Sequence, residues 1–136
     1  MAARIGYKMQ EKRKHPRLKE KLPFEIGCDA TVIATETKNI SCSGAYCAIN
    51  KTFPPMSKVK ISMAIPNLKG DKIVSKKITC EGVILRCTPP EKDDPPLGSN
   101  AAIMFTEISG KDKEVIADYI KLQLVRLKEL YQEINK

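Results

Sequence analysis

The stretch of residues 59–65 limits the possible folds more than any other part of this 136-residue chain. Its odd-numbered positions are all large and apolar, while Lys60, Ser62 and Ala64 stand between them. Such alternation predicts a β-strand with one face buried and one face exposed. Three β-rich segments precede it, separated by turn residues: LPFEIGC, ATVIATETKNI and AYCAIN. The sequence therefore predicts several short antiparallel strands.

The segment after residue 65 continues this β pattern. PNLKGD, residues 66–71, predicts the connection of a hairpin. In the following strand the apolar residues change parity near Glu81–Gly82, and a β-bulge there would keep both sets facing inwards. The two sets are Ile78 and Cys80 before the bulge and Val83, Leu85 and Cys87 after it.

Residues 88–100 contain four prolines and four charged residues, which indicates an exposed loop. Ala101, Ile103 and Phe105 then predict the last strand. From about Lys111 the apolar period becomes helical, without Gly or Pro before the end of the chain. One face of this predicted helix carries Ile116, Ile120, Leu127, Leu130 and Ile134.

Together these patterns predict an all-β domain, a small antiparallel barrel of five to seven strands with one long C-terminal helix packed across it. The length suits a single domain. We divide it into an N-terminal arm, residues 1–21, a barrel, residues 22–110, and a helix, residues 111–136. The helix has a second apolar set, which predicts a homodimer contact, or else a helix that is fully buried or frayed: Val115, Tyr119, Leu122 and Val125.

The positive charge of the chain is concentrated in the predicted arm. Of the formal net charge of +8, residues 1–21 carry +6, from eight Lys or Arg against Glu11 and Glu20. A basic arm before a nearly neutral body predicts a partner that bears phosphate, such as a nucleic acid, a lipid or a nucleotide. No apolar run is long enough for a membrane span or a secretion signal, so we expect a cytoplasmic protein.

The five cysteines, an odd number without a CxxC pair, do not predict a zinc site. We interpret them as reduced thiols that act as small apolar core residues. The single histidine, His15, precedes Pro16 and is interpreted as a spacer.

Two short motifs carry the candidate chemistry. Only five of the 24 basic residues are arginines, and Arg13 and Arg17 stand four apart in the arm. Arginine binds phosphate through two parallel hydrogen bonds, stacks on bases and matches the acceptors of guanine. A solvated run of charge is the alternative reading of this pair taken alone.

The second motif is N-x-S-x-x-G at the end of a predicted strand, formed by Asn39, Ser41 and Gly44. Asparagine offers an amide donor and acceptor, serine a rotatable hydroxyl, and glycine can adopt positive φ and allow close approach of a ligand. Taken alone, these residues are equally typical of a structural turn.

In this order and spacing, RxxxR followed by N-x-S-x-x-G resembles the PilZ domain family of bacterial cyclic di-GMP receptors. The resemblance covers about residues 11–120. It implies a six-stranded antiparallel barrel with a C-terminal helix, and it implies that Arg13 and Arg17 hold phosphates and guanine edges as the arm closes. Asn39 and Ser41 would contact guanine, and Gly44 would keep the turn open. Lys12 and Lys14 would add secondary phosphate contacts.

One departure concerns the last strand, where family members often have Gly shortly before the aromatic residue. Here Gly98 comes early and Ala102 takes the nearer position, which leaves the strand register open.

The resulting hypothesis is a non-enzymatic, single-domain receptor that binds cyclic di-GMP, orders its arm over the barrel and offers a changed surface to an unknown effector protein. No cofactor or metal is expected. One alternative is a small basic barrel that binds single-stranded nucleic acid, which the scarcity of aromatic residues disfavours. The other is a PilZ-like interaction module that binds no nucleotide.

Overall fold

The computed structural model describes residues 20–134, except for the side chain of Leu68. The predicted arm therefore lies outside the described residues, apart from Glu20 and Lys21. The described chain forms six strands and one helix in the order β1 (Pro23–Cys28), β2 (Thr31–Ile40), β3 (Gly44–Ile49), β4 (Ser57–Lys69), β5 (Lys72–Thr88), β6 (Ser99–Glu107) and α1 (Gly110–Ile134). This confirms the predicted elements.

The six strands close into an antiparallel barrel with the spatial order β1-β2-β3-β6-β5-β4. Every second residue of a strand points to the same face, so the apolar residues at alternating positions fill the interior of the barrel. The four alternating apolar residues of β4 are all buried, with exposed fractions of 4% or less: Val59, Ile61, Met63 and Ile65. The predicted all-β barrel with a C-terminal helix is confirmed.

The connection between β4 and β5 is shorter than predicted. Pairing continues from Pro66↔Ser75 to Lys69↔Lys72, so only Gly70 and Asp71 form the turn. Gly70 has a φ of 64°, the left-handed conformation that tight hairpin turns require. The predicted hairpin is confirmed, but residues 66–69 belong to β4, because this hairpin extends beyond the rest of the sheet and its two strands pair with each other alone.

The irregularity predicted near Glu81–Gly82 is present, but the additional residue lies on the other strand. Glu81 pairs with Glu107 and Gly82 with Phe105, so Thr106 of β6 is skipped. A second irregularity leaves Leu85 unpaired in β5. Leu85 is 40% exposed, which contradicts its predicted inward orientation. The inward row of β5 keeps one parity through Ile78, Cys80 and Ile84.

The helix α1 begins at a serine cap and leaves the barrel after about three turns. The amide of Asp112 donates a 3.1 Å hydrogen bond to the hydroxyl of Ser109, which satisfies one of the free donors of the first turn. The buried residues of α1 are Ile116, Tyr119 and Ile120, and the helix contacts β4. A helix of 25 residues is about 37 Å long, and its later part is exposed. The predicted packing of the helix across the barrel is confirmed for its first part, through Ile120.

The five cysteines are free thiols. Cys47 and Cys80 belong to the core, and the other three pack against it. Burial raises the pKa of Cys47 to about 12 and that of Cys80 to about 11. Their interpretation as small apolar residues is confirmed.

Candidate functional site

The turn between β2 and β3 places the second motif at one end of the barrel. Ser41 is buried, and its amide donates a 2.9 Å hydrogen bond to the carbonyl oxygen of Gly44. Its hydroxyl accepts a 3.2 Å hydrogen bond from the amide of Ser43 and lies 3.1 Å from the Ser43 hydroxyl. Ser41 therefore holds the turn together from within.

Gly44 is required by the neighbouring strand. A Cβ added at this position would collide with the carbonyl oxygen of Ile103 in β6. The same turn is attached to β6 by a 2.9 Å hydrogen bond from the amide of Phe105 to the carbonyl oxygen of Ser43. Among the glycines of residues 20–134, only Gly70 has positive φ. Gly44 thus does not use the positive φ that glycine allows, and the close approach of β6 is what selects glycine here.

Asn39 is half-buried on the outer face of β2, while its neighbour Ile40 points into the core. Asn39 pairs with Tyr46, Tyr46 pairs with Ala102, and Ala102 pairs with Arg86. These four residues form an outer row across β2, β3, β6 and β5. The row spans about 14 Å, since neighbouring strands lie about 4.8 Å apart. The row also answers the question of register that the sequence left open for the last strand, because Ala102 of β6 lies between Tyr46 and Arg86.

The side-chain amide of Asn39 has hydrogen-bonding groups that no described residue uses. Within residues 20–134 its side-chain amide forms no hydrogen bond, whereas the buried Thr37 and Ser41 on either side of it are both engaged. An amide can donate two hydrogen bonds and accept two. Asn39 is thus the member of the N-x-S-x-x-G motif that can bind an incoming polar group without breaking an existing bond.

Lys38 stands beside Asn39 as the additional residue of a β-bulge. Thr37 pairs with Cys47 and Asn39 with Tyr46, so Lys38 is left without a partner in β3. Its Nζ lies 3.1 Å from Oε1 of Glu91 and 2.8 Å from Oδ1 of Asp94, and 5.8 Å from the ring centre of Tyr46. Burial lowers the pKa of Lys38, but the hydrogen bonds to Asp94 and Glu91 outweigh it and raise that pKa above its ordinary value.

The loop of residues 89–98 is attached through Asp94 to Lys38 of β2 and Asn100 of β6. This carboxylate also accepts a 2.8 Å hydrogen bond from the side chain of Asn100, and a 2.7 Å bond from the amide of Glu91. The hydrogen bonds from Lys38 and Asn100 lower the pKa of Asp94 to about 2. Within this part of the site the charge of Lys38 is already balanced by carboxylates.

The first described residues connect the predicted arm to this site. The hydroxyl of Thr37 donates to the carbonyl oxygen of Glu20 and accepts from the amide of Leu22. The Tyr119 hydroxyl of α1 lies near the Glu20 carboxylate. Burial, followed by the nearby negative charge of Glu20, raises the pKa of Tyr119 to about 12. The end of the arm is thus hydrogen-bonded to β2, two residues along that strand from Asn39, and lies beside α1.

Four predicted site residues, Lys12, Arg13, Lys14 and Arg17, lie outside the described residues. The structure therefore brings together Asn39, Ser41 and Gly44 of the predicted site and shows where the chain that carries the other four joins the barrel.

Comparison with known proteins identifies the family of this fold. The sequence model of the PilZ domain family matches residues 11–122 of this chain. This chain belongs to the PilZ domain family. A search of curated proteins found no match.

Two solved PilZ structures share the fold at low sequence identity. The inhibitor of motility MotI/DgrA of Bacillus subtilis is 18% identical, with a TM-score of 0.72 over 84% of this chain. This chain spans about half of that protein, 52% of its length. The PilZ domain of Escherichia coli YcgR, solved with c-di-GMP, is 11% identical, with a TM-score of 0.55 over 89% of this chain and 98% of that one.

Three site features of this PilZ domain were missed by sequence reasoning. The bulge at Lys38, the contact of Lys38 with Asp94 and the outward position of Arg86 depend on strand register, which no local pattern fixes. One signal was present, since the alternation of Ala45 and Cys47 with Tyr46 already predicts an outward tyrosine opposite the end of β2. In the described part of the chain, no cluster of three or more His, Cys, Asp or Glu residues could hold a metal ion. Nor does that part contain a helix with the length and hydrophobicity of a bilayer crossing.

Proposed function

We propose that this PilZ domain is a non-enzymatic, cytoplasmic receptor for cyclic di-GMP, whose basic arm, residues 1–21, becomes ordered over the barrel when the ligand binds. The attachment of Glu20 to Thr37, two residues before Asn39, carries this proposal. It joins the chain segment that bears RxxxR to the strand that bears N-x-S-x-x-G. The presence of c-di-GMP in the related YcgR domain supports the choice of ligand.

In this proposal Arg13 and Arg17 hold the phosphates and the guanine edges of the dinucleotide. Chain length allows it, since Arg17 is three residues from the attached Glu20 and its Cα lies within about 10 Å of it. Arg13 is within about 24 Å by the same limit. Lys12 and Lys14 flank the arginines and add secondary phosphate contacts.

The barrel contributes the fixed half of the site. Asn39 contacts guanine from the outer row, because its side-chain amide has free hydrogen-bonding capacity among the described residues. Ser41 contributes by holding the turn through its bonds to Ser43 and Gly44, beside any contact it makes with the base. Gly44 allows β3 and β6 to approach, which positions the turn.

The signal passes to an effector protein through a changed surface. Glu20 lies beside Tyr119 of α1, so ordering of the arm acts on the helix as well as on the barrel. The cost of ordering the arm is subtracted from the binding free energy, which predicts a moderate affinity that improves when the arm is preorganised.

Isothermal titration of the full chain with cyclic di-GMP tests the proposal, with Arg17→Ala as the main variant. Loss of charge-assisted bonds to a phosphate should weaken binding by at least about tenfold. Arg4→Ala is the matched control, since it removes the same charge from the same arm outside RxxxR. We expect it to change affinity by less than about twofold at physiological salt.

Three outcomes would decide against the proposal. Absence of binding by the wild type at tens of micromolar protein would favour an interaction module without a nucleotide. Equal losses for Arg17→Ala and Arg4→Ala would mean that only total arm charge matters. Binding of single-stranded RNA with a steep salt dependence, without binding of the dinucleotide, would favour the nucleic-acid barrel.

A further inference from the structure

One apolar stripe of α1 runs from the barrel into solvent. Its residues follow each other at alternating spacings of four and three: Ile116, Ile120, Gln123, Leu127, Leu130 and Ile134. Ile116 and Ile120 are 0% and 3% exposed, whereas Leu127, Leu130 and Ile134 are 56%, 53% and 80% exposed. This spacing is the heptad repeat by which helices pack side by side. The barrel covers the first two positions, and within residues 20–134 the last three remain uncovered.

The two flanks of this stripe differ in chemistry. Leu124 and Tyr131, seven residues apart, border it on one side, and Arg126 and Glu133, also seven apart, border it on the other. In heptad terms the stripe occupies the a and d positions, and the flanks occupy e and g, which select the partner and its orientation. The charged flank thus carries one cation and one anion a heptad apart.

We propose that the exposed part of this stripe is a homodimer interface, in which α1 of a second copy packs antiparallel to it. In the register that fits, Leu127 of one copy faces Leu130 of the other, and Gln123 faces Ile134. A twofold axis between residues 128 and 129 then relates the copies. Each contact occurs twice, as a closed twofold interface requires.

Charge complementarity selects the antiparallel orientation. It places Arg126 beside Glu133 of the second copy, and by symmetry Glu133 beside the second Arg126. On the other flank Leu124 meets Tyr131. A parallel pair would instead place Arg126 beside the second Tyr131 and leave Glu133 without a basic neighbour at the corresponding flank position. Only the antiparallel pair matches both flanks.

Size and shape also fit a second copy. The exposed apolar side chains of the stripe and its Leu124–Tyr131 flank on two copies would bury about 1,000 Å² in total, near the lower limit of specific interfaces. The partner helix would end beside Gln123, where the exposed part of α1 begins, so the barrels would not overlap along the stripe. The dimer should therefore form reversibly and depend on concentration.

The basic arm of the same chain is a weaker candidate to cover the stripe. Residues 121–134 carry three basic side chains, Lys121, Arg126 and Lys128, against Glu129 and Glu133. A surface with this balance does not attract a segment of charge +6. A second helix of the same sequence matches the leucines at the centre of the stripe and both charged positions of its flank.

Sedimentation equilibrium of the full chain without nucleotide tests the interface. We expect the average mass to rise from one chain towards two as concentration increases. Leu127→Asp should weaken association by at least about 50-fold, because a charge would be buried in the seam. Val125→Asp is the matched control and should leave association within about twofold, since Val125 lies half a turn away on the back of the helix and is 48% exposed. Val125 belongs to the second apolar set, for which the sequence predicted the dimer contact, but Tyr119 of that set is buried against the barrel.

A charge exchange tests the orientation. Arg126→Glu should weaken association about fivefold or more, and the double variant Arg126→Glu/Glu133→Arg should restore it, since the two pairs are then reversed. A wild type that stays monomeric at all concentrations would overturn the dimer. So would equal losses for Leu127→Asp and Val125→Asp. Failure of the double variant to recover would overturn the antiparallel register.

Limited proteolysis of the same variants distinguishes the basic arm from a second copy as the segment that covers the stripe. If the wild type is monomeric and Leu127→Asp accelerates cleavage within residues 1–19, the arm covers the stripe and the dimer proposal fails. If cleavage is unchanged while the mass falls to one chain, the second copy is the occupant. Because no step uses cyclic di-GMP, the result is independent of the proposed receptor function.

Discussion

The hydroxyl of Thr37 lies 2.6 Å from the carbonyl oxygen of Glu20 and donates a hydrogen bond to it. Thr37 is 1% exposed and also receives a 3.0 Å bond from the amide of Leu22. One buried hydroxyl therefore fastens the end of the arm to the strand that carries Asn39. This side chain therefore fixes the backbone of Glu20 relative to β2.

Thr37→Val should loosen this attachment while keeping the shape of the side chain. The amide of Leu22 loses a buried acceptor, so we expect a loss of about 1 to 3 kcal/mol in the free energy of unfolding. Binding of cyclic di-GMP should weaken about fivefold, since the arm must be positioned anew on binding. Urea unfolding and calorimetric titration measure the two effects.

Thr35→Val is the matched control for that variant. Thr35 lies on the same strand as Thr37 but away from the arm, and its hydroxyl donates a 2.6 Å hydrogen bond to the carbonyl oxygen of Ala48. It should cost stability without a change in nucleotide affinity. Equal affinity losses in both variants would show that the attachment of Glu20 has no special role.

Arg86 should contribute to nucleotide binding, because it lies on the outer row with Asn39 and Tyr46 and its side chain is exposed. Arg86→Ala should weaken binding of cyclic di-GMP about fivefold, through loss of a guanidinium that binds phosphate or stacks on a base. Lys60→Ala, an exposed cation on β4 outside the outer row, is the control and should have little effect. Unchanged affinity in Arg86→Ala would restrict the site to the β2 side of the row.

Gly44→Ala should be strongly destabilising, because the added methyl group meets the carbonyl oxygen of Ile103. Separation of β3 from β6 or distortion of the turn would cost about 2 to 4 kcal/mol. Gly110→Ala is the control, since a Cβ there meets no atom within 4 Å and alanine favours the helix. Denaturant unfolding of both variants gives the comparison, and a tolerated Gly44→Ala would contradict the packing argument.

The pH dependence of stability should reveal the Lys38–Asp94 pair. The pKa of Asp94 is lowered to about 2, below its ordinary value of about 4. Its contribution to stability is therefore fully present above about pH 4 and is lost as the pH falls through about 2. The stability difference between wild type and Asp94→Asn should be largest above pH 4 and should close near pH 2.

Urea midpoints measured across this range check that prediction. Asp93→Asn, the same substitution on the exposed neighbour, is the control for the change in net charge. A difference between wild type and Asp94→Asn that stays constant from neutral pH to pH 2 would show that the pair does not stabilise the folded state through ionisation.

The parts of this fold that follow from the spacing of apolar residues were predictable from sequence. The buried positions of β4 and the helical start near Lys111 follow from spacings of two and of three to four residues, and the structure has both. Register was harder, since Thr106 and Leu85 are skipped in pairing for reasons that involve both strands at once. Helix packing beyond Ile120 was not predictable, because period identifies an apolar face without indicating what covers it.

For the site, the two motifs identified the turn but not the contact that selects its glycine. A local pattern shows that Gly44 ends a turn, whereas the need for glycine comes from Ile103, nearly sixty residues away in the chain. The same limit applies to Lys38 and Asp94, which are brought together by barrel closure. Contacts between distant segments are the part of a site that short spacings do not encode.

The hairpin of β4 and β5 has a consequence for solubility. Beyond Met63 on β4 and before Glu81 on β5, the outer edges of these strands have no neighbouring strand within the described barrel. Open edges invite the addition of strands from other molecules. Pro66 removes one backbone donor from the first edge, and Lys72, Lys76 and Lys77 line the second with like charge. Electrostatic repulsion therefore keeps the extended part of this hairpin from stacking into aggregates, and concentrated salt weakens that protection.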